Sequence, residues 1–322
     1  MNGRETAMAN ANDLFIGIDV GGTSVKEGLL NRDGEILAKM SVPTPPLVDE
    51  AGYSAVTAGI TDVLAQAGRD VADLKGIGLA VPCPIPDDGD VKLVANLKLN
   101  LGGVREALET AFPNAKVAFL NDANAAALGE LWRGAARGYR SSVLVTIGTG
   151  VGGGVIVDGK VVGGANGAGG EIGHMCVNPA EERVCGCGRH GCLEQYSSAT
   201  GVVSNYLIEC GKRGVTPIEL TGPSDSKDVF QACREGDETA LAAMRTMADY
   251  LGLALANVSA VMDPEAFVIG GGASASADVY LDTVRERFKH YVLSCSADTA
   301  IEVASLGNDA GMIGAAYGAL TA

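Results

Sequence analysis

The sequence predicts an α/β protein built from two similar domains that face each other across a cleft. The chain has 322 residues, more than one hydrophobic core usually holds, so two domains are expected. Hydrophobic residues make up 47% and charged residues 20%, a composition typical of globular proteins. A short apolar strand followed by a glycine- and threonine-containing hairpin occurs once in each half, which indicates a duplicated α/β unit.

The first half of the chain begins with a three-stranded meander and continues with alternating helices and strands. Short apolar runs that end at turn residues predict strands at residues 14–19, 25–30, 36–42, 77–81 and 117–120. Helical spacing of apolar residues predicts a helix at 51–66, and an alanine-rich run predicts another at 123–132.

The second half repeats the strand and its glycine hairpin. Apolar runs predict strands at residues 142–147, 152–157 and 266–269, with a further strand beginning at 161. The last element, a helix at 311–320, is expected to pack back on the first domain. The predicted organisation is a disordered extension (1–12), a small N-terminal α/β domain (13–121) completed by the C-terminal segment (308–322), and a large α/β domain (122–307).

The charge and hydropathy of the chain exclude several classes of function. The formal net charge is −15, from 39 acidic and 24 basic residues, and such a field repels nucleic-acid backbones and anionic membranes. Residues 1–12 are polar and lack the apolar core of a signal peptide, and the apolar stretch at 250–262 is too short to span a bilayer. We therefore expect a cytoplasmic protein that binds neither nucleic acid nor membrane.

Three of the eight cysteines, Cys185, Cys187 and Cys192, fall in one short segment. In a cytoplasmic protein such a cluster indicates a metal site rather than disulfides, although three free thiols in a glycine-rich turn are the alternative. Three thiolates and one imidazole complete a tetrahedral structural Zn²⁺ site with no open position. His174 and His190 are both candidates for the fourth ligand, and spacing alone does not choose between them.

The hairpin Asp19-Val20-Gly21-Gly22-Thr23 is a candidate phosphate-binding loop. Gly21 and Gly22 permit backbone conformations that other residues avoid, so amide N–H groups can converge on phosphate oxygens. Thr23 adds a hydroxyl donor, and Asp19 is a candidate to hold Mg²⁺ through water. The alternative is an ordinary hairpin turn with a polar tip, and this loop alone does not decide between the two.

Two further glycine loops strengthen the nucleotide hypothesis. Gly148-Thr149-Gly150 joins two strands, which argues against a Rossmann dinucleotide site, and it lacks the Lys-Ser/Thr ending of a P-loop. Gly270-Gly271-Gly272 follows the strand at 266–269 and precedes a helix, as either a plain turn or the wall of an adenine pocket. Three glycine loops at strand ends together indicate a nucleotide site.

Asn121 and Asp122 lie between a predicted strand and a predicted helix. Both residue types are good helix N-caps, and capping is the simpler interpretation of the pair. The functional alternative is a carboxylate that accepts the proton of a sugar hydroxyl as the hydroxyl attacks phosphorus. The residues alone favour the cap.

Five motifs occur together in the chain: Asp19-Val-Gly-Gly-Thr23, Leu120-Asn-Asp122, Gly148-Thr-Gly150, Glu171-Ile-Gly-His174 and Cys185-Gly-Cys-Gly-Arg-His-Gly-Cys-Leu-Glu194. Their combination and spacing resemble the ROK family of bacterial repressors, open reading frames and sugar kinases. The match runs from about residue 15 to residue 322. The resemblance implies the two-domain actin-like, ribonuclease H-like ATPase fold and, within it, the glucokinase-type branch.

The resemblance also implies a role for each candidate residue. It makes Asp122 the catalytic base and selects His174 as the fourth zinc ligand, with its second ring nitrogen aimed at the sugar. The implied sugar-binding residues are Asn96, Asn121, Asp122, Glu171, His174 and Glu194. The implied nucleotide-binding residues are Asp19, Gly21, Gly22, Thr23, Gly148, Thr149, Gly150, Gly271 and Gly272. The implied cofactors are ATP, Mg²⁺ and a structural Zn²⁺, and the implied assembly is a homodimer or homotetramer.

These implications predict an ATP-dependent hexose kinase, with glucose as the leading substrate and a cleft that closes on it to exclude water. One position departs from the family pattern, because Cys83 in Ala80-Val-Pro-Cys83-Pro84 replaces a glycine of a loop that borders the sugar in relatives. N-acetylmannosamine, N-acetylglucosamine, mannose and fructose therefore remain alternatives, and the sequence does not exclude polyphosphate or ADP as donor.

Two rival classes of function are less compatible with the sequence. A sugar-responsive repressor needs an N-terminal helix-turn-helix and a basic face, whereas the first predicted strand begins by Leu14. A catalytically silent sugar-binding protein would have no need for Asp122 together with three glycine loops.

Overall fold

A computed structural model of the chain describes residues 13–85, 99–222 and 224–322. The predicted extension at 1–12 and the candidate residue Asn96 lie outside the described residues. The chain divides into two compact units. Unit 1 takes its described residues from the ranges 1–137, 163–169 and 308–322, and unit 2 from 138–162 and 170–307. Each unit contains one five-stranded sheet with helices, so the predicted α/β class is confirmed.

The elements follow one another in an order close to the predicted one. The described strands are β1 Leu14–Val20, β2 Ser24–Asn31, β3 Ile36–Pro43, β4 Leu74–Val81, β5 Lys116–Asn121, β6 Ser142–Ile147, β7 Val151–Val157, β8 Lys160–Val161, β9 Ala266–Gly270 and β10 Ala300–Val303. The described α-helices are α1 Glu50–Gln66, α2 Leu101–Ala111, α3 Asp122–Arg133, α4 Glu194–Ser197, α5 Ala199–Arg213, α6 Ser226–Arg234, α7 Glu238–Met262, α8 Ala277–Tyr291 and α9 Ala310–Thr321. The strand predicted to begin at 161 ends there, as β8.

The sheet of unit 1 has the strand order β3-β2-β1-β4-β5. Strands β1, β2 and β3 form the predicted antiparallel meander, and β4 and β5 run parallel to β1. Apolar residues of β1 such as Ile16 and Ile18 are fully buried, and helices α1 and α2 contribute to the same core. The carboxyl ends of β1, β4 and β5 therefore lie at one edge of this sheet, where Asp19 and Asn121 are found.

Several glycines allow helix α9 to approach the sheet and helix α3 closely. A Cβ on Gly17 of β1 would overlap the backbone of Met312, and one on Gly78 of β4 would overlap that of Ala315. Gly314 makes the equivalent close approach to Ala125 of α3. Part of the high glycine content therefore serves backbone packing within unit 1 rather than ligand binding. Because α3 and α9 pack together, the structure places α3 in unit 1, whereas the predicted domain boundary preceded it.

The sheet of unit 2 has the order β10-β9-β6-β7-β8, with β7 antiparallel to β6 and β9 parallel to it. Its core combines these strands with helices α5 to α8, including the fully buried Tyr206, Phe230 and Phe267. The long helix α7 begins at the N-cap Asp237, whose carboxylate accepts hydrogen bonds from Thr239 N and Ala240 N, both at 2.8 Å. Within the described part of the chain, no helix has both the length and the apolar composition needed to cross a membrane.

Candidate functional site

The first candidate phosphate loop is the turn between β1 and β2. Gly21 N donates to Ser24 O at 3.0 Å, and Thr44 Oγ1 donates to Gly21 O at 2.6 Å, so Gly21 is held inside the turn. Gly22 and Thr23 are exposed at its tip. Gly21 and Gly22 permit unusual backbone angles, but neither has a φ in the left-handed region in this turn. A Cβ on Gly22 would meet no atom within 4 Å, so the fold itself leaves open space beside this backbone.

Asp19, at the end of β1, has one basic and one acidic neighbour, Lys26 and Asp122. Its Oδ2 is 3.8 Å from Lys26 Nζ, and Lys26 also donates to Asn308 O at 2.7 Å. Burial raises the pKa of Asp19, the charge of Lys26 opposes this, and the nearby Asp122 raises it further. Two carboxylates in one region favour binding of a cation, and oxygen ligands are what Mg²⁺ prefers. The residues present thus fit Mg²⁺ beside the first loop.

The structure distinguishes the roles of Asn121 and Asp122 in capping α3. Asn121 is the N-cap: its Oδ1 accepts hydrogen bonds from Ala123 N at 3.0 Å and Asn124 N at 3.2 Å. Its Nδ2 also donates to Cys83 O at 3.3 Å. Asp122 is the first helical residue and is half-buried, with Oδ1 2.8 Å from Ala123 N. Asn121 is the cap, and the carboxylate of Asp122 accepts a hydrogen bond from Ala123 N at a helix N-terminus, which stabilises negative charge.

Cys83 lies beside this pair in a tight turn after β4. Its backbone N donates to Val81 O at 2.8 Å, and its carbonyl accepts the hydrogen bond from Asn121. Burial, and secondarily the charge of Asp122, raises the pKa of the Cys83 thiol to about 11. The cysteine that departs from the family pattern is therefore a buried, protonated thiol next to the candidate base.

The second candidate loop, Gly148–Gly150, is fastened to the segment that begins α4 and α5. Val151 N donates to Glu194 Oε2 at 3.0 Å, directly after the loop. Ala199 N donates to Gly148 O at 2.8 Å, and Thr200 Oγ1 donates to Thr149 O at 3.1 Å. A Cβ on Gly150 would overlap the Glu194 carboxylate, whereas one on Gly148 would meet no atom within 4 Å.

The third glycine run ends β9 and opens a 3-10 turn at Gly272–Ser276. Gly271 has φ +78° and abuts the backbone of Ile147, so the fold requires glycine there. Gly272 has open space around its Cα instead. Gly271 thus serves the strand-to-helix turn, and Gly272 is the position at which backbone is accessible.

Four potential metal ligands meet in unit 2. The ligand atoms of His174, Cys185, Cys187 and Cys192 all lie within 4.8 Å of one another. Cys187 Sγ is 3.6 Å from Cys192 Sγ, and Cys185 Sγ is 3.9 Å from His174 Nδ1. Sulfur separations of this size fit ligands about 2.3 Å from a central Zn²⁺, so the donor set and its geometry suit a structural zinc. The cluster contains His174 and not His190, which is exposed.

The local backbone explains why these ligands converge. Cys185 N donates to Arg189 O at 2.7 Å and Gly188 N donates to Cys185 O at 2.8 Å, which closes a tight turn. Burial raises the pKa of Cys192 to about 12, while hydrogen bonds from the Arg189 backbone and side chain lower that of Cys187 to about 6. A buried thiol such as Cys192 becomes a thiolate only beside a cation, which is what a metal supplies.

The two glutamates predicted to bind sugar have different environments. Glu171 is exposed and precedes the 3-10 turn Ile172–His174, where its carbonyl accepts a hydrogen bond from His174 N at 3.1 Å. Glu194 is half-buried: Oε2 accepts from Val151 N, and Oε1 lies 3.7 Å from Cys185 Sγ. Glu194 therefore connects the metal cluster to the second glycine loop, a link that the sequence analysis did not predict.

A cavity of about 340 Å³ opens beside this link. Thr149, Glu194 and Thr200 line it, together with Arg183, which the sequence analysis did not single out. Arg183 is held by an ion pair with Glu181 at 2.6 Å, and it lies over the ring of Tyr196. The only sequence signal for Arg183 is a basic residue close before the cysteine cluster, and this is too general to have identified it.

Comparison with known proteins extends this description. Residues 15–322 match the ROK family. The chain belongs to the ROK family. A glucokinase of Halalkalibacterium halodurans is 39% identical over 323 residues, covering 94% of each chain. An N-acetyl-D-glucosamine kinase of Erwinia tasmaniensis is 33% identical and covers 94% of this chain and 98% of its own.

Solved structures agree with this assignment. A ROK family glucokinase from Streptomyces griseus, solved in complex with glucose and AMPPNP, superposes with a TM-score of 0.75 at 31% identity. The match covers 96% of this chain and 100% of that one. The predicted resemblance to the ROK family and the predicted actin-like fold are both confirmed.

Proposed function

We propose that this chain is an ATP-dependent hexose kinase that transfers the γ-phosphoryl group of MgATP to a sugar hydroxyl, with glucose as its principal substrate. The observation that carries the proposal is similarity along nearly the whole chain to glucokinases, one of them solved with glucose and AMPPNP. The local geometry of each unit supports it, since each holds a glycine turn of the kind that can approach phosphate closely.

In the proposed reaction Asp122 is the general base. A half-buried carboxylate at the N-terminus of α3 can accept the proton of the attacking hydroxyl as the oxygen–phosphorus bond forms and the bond from phosphorus to the β-phosphate oxygen breaks. Asn121 fixes the start of the helix that carries Asp122. The amide of Asn121 already makes hydrogen bonds to Ala123, Asn124 and Cys83, so a sugar contact by this residue would use its remaining capacity.

We propose that the phosphates bind to backbone at Gly22, Gly148 and Gly272, where an added Cβ would meet no atom within 4 Å, with Thr23 and Thr149 as hydroxyl donors. Asp19 would hold Mg²⁺, which when bound neutralises charge on the transferred phosphoryl group. The remaining nucleotide-binding candidates, Gly21, Gly150 and Gly271, have structural contacts that shape these turns.

We propose that Glu171, His174 and Glu194 bind the sugar hydroxyls, together with Asn96. A structural Zn²⁺ at the cysteine cluster would fix the ring orientation of His174 through Nδ1, leaving Nε2 for the sugar. Carboxylates that accept hydrogen bonds from adjacent hydroxyls discriminate against epimers, because a buried acceptor left unpaired is costly.

The alternative substrate is an N-acetylated hexosamine, and a specific observation favours it as second candidate. The relatives include N-acetyl-D-glucosamine kinases at an identity similar to that of some glucokinases. Cys83, which departs from the family pattern, leaves the exact hexose open. Mannose and fructose are further alternatives, and the hexose panel described next includes them.

The test is phosphorylation of a hexose panel by the purified full-length chain with MgATP, read by coupled ADP release, with polyphosphate and ADP as alternative donors. Glucose should give the highest kcat/KM. A higher kcat/KM for N-acetylglucosamine or N-acetylmannosamine would replace the proposed substrate but keep the proposed chemistry, whereas no turnover with any sugar would contradict the kinase itself.

We further propose a cytoplasmic location and a homodimeric or homotetrameric assembly. None of the eight cysteines, all of which the structure describes, forms a disulfide, which fits a reducing compartment. Light scattering coupled to size-exclusion chromatography measures the assembly, and a monomer at micromolar concentration would contradict the second part.

A further inference from the structure

Glu27 is a buried carboxylic acid to which the proposed kinase reaction assigns no role. It lies in the middle of β2, and only 1% of its surface is exposed. Its Oε2 is buried and has no hydrogen-bond partner among the described residues. Buried acids are normally paired, so an unpaired one indicates a missing cationic or hydrogen-bonding partner.

The strand register explains why the chain itself does not supply a cation to Glu27. Side chains alternate across a strand, so Lys26 lies on the opposite face of β2, where it contacts Asp19 and Asn308. Lys39 of β3 pairs with Gly28 in the ladder and therefore shares that opposite face, where it forms an ion pair with Asp309 at 2.6 Å. Both lysines therefore bind partners on the opposite face of the sheet and do not pair with Glu27.

Helix α1 covers the face of β2 that carries Glu27. Gly59 of α1 packs directly against the Glu27 carboxylate, and a Cβ at this position would overlap it. One turn further along, the exposed Asp62 acts electrostatically on Glu27. The other acids at the start of α1, Asp49 and Glu50, are exposed, and Asp49 caps the helix. Asp62 of α1 therefore adds negative charge near Glu27.

Between α1 and the outer strands lies a cavity of about 210 Å³, which both Glu27 and Asp62 line. Its remaining wall is apolar and includes Met40, Val42 and Pro43. Met40 stands directly opposite Glu27 in the β2–β3 ladder. The volume is below the range of about 300–1,000 Å³ that is typical of drug-sized ligands, so a small molecule is indicated.

The chemistry of the wall selects among small cations. Mg²⁺ and Ca²⁺ need about six or more oxygen ligands, which two carboxylates in an apolar wall do not provide. A primary ammonium group has three N–H donors and no acceptor, which matches an unpaired carboxylate with a second acid nearby. A short alkyl chain would replace water against Met40 and Val42.

We propose that this cavity binds a short primary alkylammonium ion, with its ammonium group on the Glu27 carboxylate near Asp62 and its alkyl chain against Met40 and Val42. None of the described residues proposed to bind phosphate, Mg²⁺ or sugar lines this cavity. Burial, and secondarily Asp62, raises the pKa of Glu27 to about 8, so below that pH ligand binding must also release the proton of this acid.

The test measures binding of n-butylammonium to the full-length chain by calorimetry, with n-butanol as a neutral probe of similar size. Wild type should bind the amine and not the alcohol, and the affinity should rise about ten-fold between pH 6.5 and pH 8. Glu27→Gln, which keeps the size of the side chain, should weaken binding about ten-fold or more. Asp62→Asn should weaken it less, and Glu50→Gln, an exposed acid on the same helix outside the cavity, should leave it unchanged.

A second variant fills the cavity and leaves Glu27 in place, so the test does not depend on whether Glu27→Gln folds. Ala58→Phe fills the rim of the cavity from an exposed helix position and should abolish binding while kinase turnover and thermal stability persist. Equal binding of amine and alcohol, unchanged affinity in Glu27→Gln, or protection by K⁺ alone in a thermal unfolding assay would each overturn the proposal.

Discussion

Alanine substitutions at Gly150 and Gly148 should distinguish two roles of glycine in the second glycine loop: packing against Glu194 and contact with phosphate. A Cβ on Gly150 overlaps the tip of the Glu194 side chain, which is flexible enough to move away, whereas Gly148 two residues earlier has open space. Neither residue has a φ in the left-handed region, so alanine is compatible with the backbone at both positions. Gly150→Ala should therefore displace Glu194, and Gly148→Ala should not.

The expected cost of Gly150→Ala follows from the contacts of Glu194. Displacement of the carboxylate breaks its 3.0 Å hydrogen bond from Val151 N, and hydrogen bonds to charged groups contribute about 1.5–3 kcal/mol. For a unit of this size each kcal/mol corresponds to about 2–4 °C in Tm, so Gly150→Ala should lower Tm by about 3–12 °C. Gly148→Ala should change it by about 2 °C or less.

Differential scanning calorimetry without ligand measures this difference, and the coupled ADP-release assay provides a second readout. If Gly148 contacts phosphate, Gly148→Ala should raise the KM for ATP while leaving Tm nearly unchanged. Equal Tm shifts for the two variants would refute the assignment of Gly150 to packing against Glu194. An unchanged KM for ATP in Gly148→Ala would remove Gly148 from the nucleotide site.

Three further predictions concern the metal cluster, the buried thiol of Cys83 and the buried carboxyl group of Glu27. Elemental analysis of Cys187→Ser should show nearly no zinc, compared with about one ion per chain in wild type. The control Cys295→Ser, which replaces another exposed cysteine, should retain the zinc. Equal zinc content in both variants would contradict the cluster as the metal site. The thiol of Cys83 has a pKa raised to about 11, so it should resist alkylation by iodoacetamide at pH 7.5. Mass spectrometry measures the labelling, with the exposed Cys176 as the control. Labelling of Cys83 as fast as that of Cys176 would contradict the burial of Cys83. Glu27 has a pKa raised to about 8 in the folded chain, so the folded state binds a proton that the unfolded state releases above about pH 4.5, and stability falls as pH rises through this window. Urea unfolding should show Glu27→Gln gaining on the order of 3 kcal/mol over wild type between pH 5.5 and pH 8, and parallel pH profiles would contradict the shifted pKa.

Much of the fold could be predicted from the sequence because the strands are short apolar runs that end at turn residues. The glycine hairpins at residues 21–22 and 148–150 marked the same position in each half. The structural role of many glycines could not be predicted from the sequence. The sequence analysis treated glycine as a device for phosphate binding, whereas Gly17, Gly78 and Gly314 serve contacts between segments distant in sequence, which no local pattern encodes.

The contacts among the candidate site residues could not be predicted from the sequence. The capping pattern left Asn121 and Asp122 equivalent, and only the hydrogen bonds of the folded helix assign the cap to Asn121. The contact between Glu194 and Val151 joins residues far apart in sequence, so spacing did not reveal it. Glu27 did leave a signal, since it shares a strand face with the buried Val25 and Leu29, but the usual exposure of glutamate outweighed it.

The kinetics of Asp122→Asn test the central claim most directly. The variant keeps the size of the side chain and removes its ability to accept a proton. It should lower kcat by about 10²–10⁴-fold while the dissociation constant for the hexose stays within a few-fold of wild type. Asp282→Asn, an exposed acid of α8, should behave as wild type in both measurements. Turnover by Asp122→Asn close to that of wild type would contradict the assignment of Asp122 as the base that activates the sugar hydroxyl.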